Sequence, residues 1–374
     1  MTHDRYLSRA YLPELDGLRA FSILIVISVH MKDRVWEWLG GRLGVTVFFV
    51  LSGYLITMLA LREERSRGRL NIPAFLVRRA FRLLPLYYFV VGVYCALILG
   101  LGMSPERRAA LAAALPFYLC YLQEWPFFLG INGEQTFIPL YQTWSLGIEE
   151  KFYLVWPFLG FAAWRHSELT RRSGTLLLGV LMMLAPTIAG VKVGQFFYPY
   201  SHILVGCLTA LLLDSRAWFD RLGWLGSPMA GGFALAALLG LHFTIPHIPR
   251  EWLDVAHSGY TLLTAVFLVT VLLGDGPAQR LLRLPSLVMI GKLSYGMYLV
   301  HMLARNAAEI VARPGSGHFG ISAASLLLTC ILSVIMAYLL ALTIERPGIA
   351  IGRRFSASLQ GRREELAVGS TGRG

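Results

Sequence analysis

Long apolar runs constrain this chain more than any other feature. A helix that crosses a bilayer needs about 20 predominantly apolar residues. Runs of roughly that length lie near residues 15–32, 43–61, 83–103, 144–164, 175–193, 199–213, 229–245, 257–273, 288–311 and 321–344. Only 15% of the residues are charged, whereas a soluble domain has about a quarter. The sequence therefore predicts an all-α, polytopic integral membrane protein with about ten transmembrane helices.

The arginines favour one orientation of these helices. Short cytoplasmic loops are enriched in Lys and Arg, and arginine clusters alternate with the apolar runs at residues 62–82, 165–172, 216–221, 280–283 and, in the tail, 346–363. This pattern predicts a multi-pass membrane protein with both termini cytoplasmic. Counting the short run 109–122, which contains Pro116, as a further span would reverse the pattern, so we expect an interfacial or re-entrant piece there.

Composition excludes several other classes of protein. The net charge of +12 fits loops that face anionic membrane lipid, and we expect no nucleic-acid partner. The cysteines form no CxxC pair and the histidines no HExxH motif, so neither a disulfide framework nor a metal site is expected. We find no internal repeat. We therefore predict one membrane domain over residues 1–352 and a disordered cytoplasmic tail over 353–374, which is polar.

The first apolar run, Leu15 to His30, carries three ionisable residues: Asp16, Arg19 and His30. A charged residue at the centre of a membrane helix costs about 2.5–3.5 kcal/mol, so such residues are candidates for function. On a helix, Arg19 and His30 lie eleven residues apart, which is roughly 16 Å along the axis. That separation is close to three turns, so both project to the same side. Alternatively, Arg19 snorkels to lipid headgroups and His30 is interfacial.

Basic residues open the third apolar run. Arg78, Arg79 and Arg82 precede Pro85, and guanidinium groups bind phosphate in bidentate geometry. The alternative is an ordinary anchor on the cytoplasmic side.

Two further apolar runs, which we expect to be helical, contain polar residues. The stretch from Gln142 to Tyr153 contains Trp144 and two adjacent carboxylates, Glu149 and Glu150, either of which would be stabilised by the dipole near a helix N-terminus. An interfacial capping turn is the alternative. In the ninth run Tyr298 lies one turn before His301, a pairing suited to hydrogen-bonding a substrate; a histidine bonded to a backbone carbonyl is the alternative.

The pair Ser52–Gly53, in the second run, is typical of close helix packing.

Together these stretches resemble one family. The segments DGLRA followed by His30, FFVLSGYLIT, RRAFRLLPLYY, QTWSLGIEEKFYLVWP, SYGMYLVH and the terminal ERP are similar in sequence and order to the acyltransferase-3 family of membrane acyltransferases. The resemblance implies transfer of an acyl group, usually acetyl, from cytoplasmic acyl-CoA to a hydroxyl of a carbohydrate or other acceptor such as a glycolipid. It also implies that the family's catalytic and basic residues correspond here to Arg19, His30, Glu149, Arg78, Arg79 and Arg82.

The resemblance leads to a hypothesis of mechanism. An alcohol needs a base to attack a thioester at neutral pH, and we expect His30 to be that base, with Glu149 setting its tautomer and stabilising the imidazolium. Arg19 would lie toward the cytoplasm, where the phosphates of acetyl-CoA contact Arg78, Arg79 and Arg82. Candidate substrate contacts come from Asp16, Trp144, Tyr298 and His301. No metal is expected, and oligomeric state is not predicted.

Several alternatives stay open. The acyl group passes either directly to the acceptor or first to His30. The acceptor is either a carbohydrate or a small-molecule hydroxyl such as that of a macrolide. A transporter or flippase would also have about ten spans with intramembrane charge, although carriers usually show related halves. Some relatives carry a C-terminal esterase-like domain. We expect this chain to complete transfer unaided or to hand over to a separate protein.

Overall fold

A computed structural model describes residues 1–31, 34–131, 138–165, 167–312 and 319–371. Throughout these ranges the regular structure is helical, with no strand. The α-helices are α1 His3–Ser8, α2 Pro13–Val29, α3 Gly41–Arg67, α4 Ile72–Cys95, α5 Arg108–Leu119, α6 Trp125–Phe128, α7 Trp144–Phe158, α8 Glu168–Ala189, α9 Val191–Asp214, α10 Arg216–Leu222, α11 Pro228–Thr244, α12 Leu253–Leu273, α13 Pro277–Leu282, α14 Pro285–Ala312, α15 Phe319–Leu340 and α16 Arg346–Thr371. One π-helical turn follows each of α4, α7 and α15.

Eight helical segments among the described residues are long and apolar enough to cross a membrane. They are Val35–Arg67, Ile72–Gly100, Glu168–Ala189, Gly194–Asp214, Pro228–His247, Arg250–Leu273, Pro285–Val311 and Ile321–Leu359. This confirms an all-α, multi-pass integral membrane protein. The predicted count of about ten spans and the cytoplasmic termini stay predictions.

The two remaining apolar runs form shorter helices. The run 15–32 folds into α2, which has 17 residues, and the run 144–164 folds into α7, which has 15 residues and carries Glu149, Glu150 and Lys151. The run 109–122 forms α5, whose 12 residues are too few for a span. The short helix α6 follows it, so an interfacial or re-entrant piece remains our interpretation of this segment.

The chain divides into two compact units. Unit 1 comprises Met1–Leu61 and Trp164–Ala337, and unit 2 comprises Arg62–Ala163 and the chain from Tyr338 onward. The domain boundary predicted at residue 352 and the disorder predicted for the tail stay predictions; α16 runs across that boundary.

Backbone contacts between helices define unit 1. Here α2 packs along α14, and a Cβ atom at Gly291 would lie 1.8 Å from the carbonyl oxygen of Asp16. Similarly, α3 crosses α9 where a Cβ atom at Gly53 would lie 1.8 Å from the carbonyl oxygen of Ile203. The close packing predicted for the Ser52–Gly53 pair is thus confirmed at Gly53, since only glycine lets backbones approach so closely.

In unit 2, α4 packs along α16. A Cβ atom at Gly352 would lie 2.5 Å from the Cβ atom of Phe81, so the absence of a side chain permits this contact. The start of α4 is fixed by Asn71, whose side chain accepts a hydrogen bond from the backbone N–H of Ala74 at 3.3 Å. The carboxylate of Glu63 accepts from the N–H of Asn71 at 3.2 Å, which joins the end of α3 to this cap.

Substituting Gly53→Ala tests the helix contact in unit 1. The new methyl group would meet the Ile203 carbonyl, so the helices must separate, and overpacking of this kind typically costs about 1–3 kcal/mol. We expect a lower thermal-unfolding midpoint for the purified protein in detergent. Gly240→Ala in α11 is the matched control, because a Cβ atom there meets nothing within 4 Å. Equal midpoints for the two variants would contradict the contact.

Candidate active site

The end of α2 shapes the environment of His30. The last turn tightens: the backbone N–H of His30 donates to the carbonyl of Ile27 at 3.1 Å, and that of Met31 donates to Ser28 at 3.2 Å. The carbonyl of Val26 is thereby available to a side chain. It accepts a hydrogen bond from the imidazole Nδ1 of His30 at 2.8 Å.

This bond fixes which nitrogen of His30 can act as a base. A backbone carbonyl only accepts hydrogen bonds, so Nδ1 carries the proton and Nε2 holds the lone pair of the neutral ring. The side chain is only half-buried. The carbonyl of Val26 therefore favours this tautomer, because the terminating helix supplies an acceptor one turn before the ring. The role expected of Glu149 stays a prediction.

A second imidazole contacts the first. His301 lies on α14 and is fully buried, and its ring centroid is 4.9 Å from that of His30 in an edge-to-face arrangement. Its Nδ1 donates to the carbonyl of Tyr298 at 2.8 Å, as the carbonyl-bonded alternative anticipated. The Nε2 atom of His301 is buried and has no hydrogen-bond partner among the described residues. In the neutral form of each of the two rings, Nε2 is therefore the unprotonated nitrogen.

Sequence reasoning missed two residues next to these rings. Arg305 donates through Nη1 to the backbone carbonyl of His30 at 2.6 Å, and its Nε lies 3.3 Å from the carboxylate of Glu309. Both residues lie within the run 288–311. A search for ionisable residues inside apolar runs, as was applied to α2, would have found them.

The first turns of α2 hold the other two predicted residues of this helix. A carboxylate oxygen of Asp16 lies 3.6 Å from Nη1 of Arg19, and the hydroxyl of Tyr11 donates to the other oxygen. The ammonium of Lys292 lies 4.9 Å from the centroid of the Tyr11 ring. Asp16 therefore anchors Arg19 within unit 1, and substrate binding by Asp16 stays a prediction.

In unit 2 the three predicted phosphate ligands have neighbours of their own. Arg78 pairs with Glu63 and donates to the hydroxyl of Ser356 at 2.7 Å. The guanidinium of Arg79 lies 4.9 Å from the ring centroid of Tyr153, and Arg82 is in electrostatic contact with Glu345. Binding of phosphate by this cluster stays a prediction.

The helix α7 carries the predicted carboxylate. Glu149 accepts a hydrogen bond from the hydroxyl of Tyr153 at 2.8 Å, so one ring contacts both this carboxylate and Arg79. Trp144 is the first residue of α7 and is half-buried. The catalytic role of Glu149 and the substrate contact of Trp144 stay predictions.

A partly buried ion pair joins α7 to the segment before it. The ammonium of Lys151 lies 2.6 Å from the carboxylate of Glu124, whose side chain is only 5% exposed, and it donates to the carbonyl of Tyr121 at 3.3 Å. A Cβ atom at Gly147 would lie 2.3 Å from the side-chain oxygen of Gln123 and 2.8 Å from the carboxylate of Glu124. The glycine in WSLGIEE thus makes room for these two side chains.

Comparison with known proteins decides the family. The sequence matches the acyltransferase-3 family, described as an acyltransferase domain, over residues 12–342. The chain belongs to this family. The resemblance noted from the sequence is therefore confirmed.

Individual curated proteins show similarity over part of their length. A peptidoglycan O-acetyltransferase, OatA, of Listeria monocytogenes is 31% identical over 320 residues, which cover 79% of this chain and 49% of the relative. The O-acetyltransferase OatA of Staphylococcus aureus is 29% identical over 322 residues, covering 80% of this chain and 51% of the relative. The chain thus spans about half the length of these relatives. No solved structure matches it significantly.

The ion pair between Glu124 and Lys151 can be tested by stability. Glu124→Gln leaves a partly buried ammonium, whose side chain is 26% exposed, without its counter-charge. Breaking a fully buried pair costs about 3–5 kcal/mol, so we expect a smaller loss of stability here. We expect a lower unfolding midpoint, with partial recovery when the charges are exchanged in the double variant Glu124→Lys with Lys151→Glu. Glu168→Gln is the control, since the carboxylate of Glu168 is 75% exposed in its pair with Arg172. A Glu124→Gln variant as stable as this control would contradict the pairing.

Proposed function

We propose that the protein is an O-acyltransferase that moves an acyl group, most simply acetyl, from cytoplasmic acyl-CoA to a hydroxyl of a carbohydrate or glycolipid, with His30 as the base. The observation that carries the proposal is the imidazole of His30, whose Nδ1 is bound by Val26 and whose Nε2 therefore holds the lone pair. A base with a fixed tautomer suits acyl transfer to an alcohol, which requires proton removal at neutral pH.

The proposed reaction balances with one base. Nε2 of His30 takes the proton of the acceptor hydroxyl as its oxygen attacks the thioester carbonyl carbon. The resulting tetrahedral intermediate collapses, its carbon–sulfur bond breaks, and the thiolate of CoA takes the proton from Nε2. The Val26 carbonyl holds Nδ1–H throughout and so favours the imidazolium that forms between these two transfers.

Further residues have proposed roles on the donor and acceptor. Arg78, Arg79 and Arg82 bind the phosphates of acyl-CoA, and Arg19 supplies positive charge on the donor side of His30. Glu149 is the proposed catalytic carboxylate. Asp16, Trp144, Tyr298 and His301 are the proposed contacts to substrate; the buried, unpartnered Nε2 of His301 is suited to accept a hydrogen bond from a hydroxyl.

The relatives support the proposed acceptor. Those described above are named as O-acetyltransferases, one of them as a peptidoglycan O-acetyltransferase, and we extend a carbohydrate acceptor to this chain on that basis. Two outcomes would redirect the proposal. CoA-dependent acylation of a macrolide but of no glycan would place the acceptor among small molecules, and movement of the acceptor without covalent change would indicate a transporter or flippase.

His30→Ala tests the base directly. We expect transfer from labelled acetyl-CoA to a cell-wall glycan to fall by about 100-fold or more, because a general base typically contributes 10²–10⁴-fold. His247→Ala is the matched control, since His247 is exposed and outside the proposed site. Near-normal transfer by correctly inserted His30→Ala protein would refute the base assignment. An acetyl-histidine trapped with donor alone would instead show a two-step route.

The arginine cluster is tested by the KM for acyl-CoA. Replacing Arg78, Arg79 and Arg82 by Gln should raise this KM about tenfold or more while kcat changes little, because phosphate contacts bind donor and transition state alike. Glu63→Gln is included so that the carboxylate of Glu63 is not left without Arg78. The control replaces Arg216, Arg221 and Arg280, which belong to the other clusters predicted on the same side. An unchanged KM would leave the three arginines as topology anchors.

A further inference from the structure

We propose that Arg305 is a positioning residue for His30, and that Glu309 holds Arg305 in place. The inference rests on the proposed function, because it assigns Arg305 a role only through the base. Neither residue belongs to the segments that carry the family resemblance. Both lie on α14, on the C-terminal side of His301.

The central observation is a hydrogen bond to the backbone of the base itself. Nη1 of Arg305 donates to the carbonyl oxygen of His30 at 2.6 Å. His30 caps α2, so its carbonyl is among those left without a partner inside the helix. A cation at the C-terminus of a helix also interacts favourably with the helix dipole. Arg305 thus satisfies a polar group that would otherwise be costly to keep away from water.

The guanidinium is itself held in a defined orientation. Its Nε lies 3.3 Å from the carboxylate of Glu309, with the two side chains only 11% and 12% exposed, and its Nη2 donates to the side chain of Asn306 at 3.1 Å. His301, Arg305 and Glu309 follow each other at intervals of four residues, so they share one face of α14. An arginine that merely anchors a helix would extend its guanidinium to lipid headgroups. This guanidinium instead contacts the backbone of another helix.

Two hydrogen bonds therefore constrain His30, one at its ring and one at its backbone. Val26 fixes the ring through Nδ1, and Arg305 fixes the backbone through the carbonyl oxygen. The position of Nε2 depends on both. Because a misplacement of about 1 Å can cost about 100-fold in rate, loss of the backbone bond should reduce catalysis while leaving the donor site unchanged.

The test compares Arg305→Gln, Arg305→Lys and Glu309→Gln with the wild type as full-length purified protein. We expect Arg305→Gln to lower kcat by about 100-fold with the KM for acetyl-CoA within about twofold of the wild type. Arg305→Lys should retain more activity, because an ammonium can keep the bond to the His30 carbonyl but loses the fork that also engages Glu309. Glu309→Gln should give a smaller loss of kcat. Arg250→Gln is the control, since Arg250 is exposed.

Chemical rescue separates positioning from a general structural defect. Methylguanidinium added to Arg305→Ala should restore part of kcat by occupying the vacated position, which a misfolded protein cannot show. A wild-type kcat in Arg305→Gln would overturn the inference. The inference would also be overturned if kcat and the folded fraction fell together in Arg305→Gln, Arg305→Lys and Glu309→Gln, and methylguanidinium restored no activity to Arg305→Ala.

Including His30→Ala in the same series distinguishes the two proposals. If His30→Ala retains transfer, the proposed function fails, whatever Arg305 does. If His30→Ala is inactive and Arg305→Gln is not impaired, only the present inference fails. Modification of His30 by diethyl pyrocarbonate gives a readout without transfer, and it should be faster in Arg305→Gln because the histidine is less constrained. An unchanged rate would count against positioning.

Discussion

The site in unit 1 depends on how closely α2 and α14 approach each other. At Gly291 a single methyl group would lie 1.8 Å from the carbonyl oxygen of Asp16, so the two backbones are in contact there. A contact of this kind fixes the position of each helix along the axis of the other, since neither can slide without a clash. His30 contacts His301 fourteen residues after Asp16 in the chain and ten residues after Gly291. The pair of imidazoles is therefore a consequence of small residues placed elsewhere on the same helices.

Helix ends account for the chemistry of the site. Inside a helix every carbonyl is used by the backbone, whereas at the end of α2 two carbonyls are available to side chains. The ring of His30 donates a hydrogen bond to the carbonyl of Val26, and Arg305 donates one to the carbonyl of His30. Both bonds form where unpaired polar groups are costly. The same requirement explains the pair between Lys151 and Glu124 in unit 2, where the buried carboxylate of Glu124 needs a counter-charge.

The sequence predicted the class of fold and named candidate residues, but it did not predict the contacts that these residues make with other segments. Apolar runs identify membrane helices because lipid demands them, and ionisable residues in such runs, such as His30 and Arg19, are conspicuous. The packing of Gly53 was predictable because a small pair in an apolar run has few other uses. By contrast, the tautomer of His30 is set by a backbone carbonyl, which has no signature in the sequence. Arg305 and Glu309 were visible as charges within an apolar run, but their role depends on the partner helix. No pattern in the sequence links Glu124 with Lys151.

The most direct test of the account is the tautomer of His30, measured by ¹⁵N NMR of protein labelled at histidine, with the signal assigned by its loss in His30→Ala. At alkaline pH the account predicts a protonated Nδ1 and an unprotonated Nε2 for this residue, as the bond to Val26 requires. A proton on Nε2 instead would leave no lone pair where the proposed base needs one, and it would contradict the assignment of His30 to proton transfer.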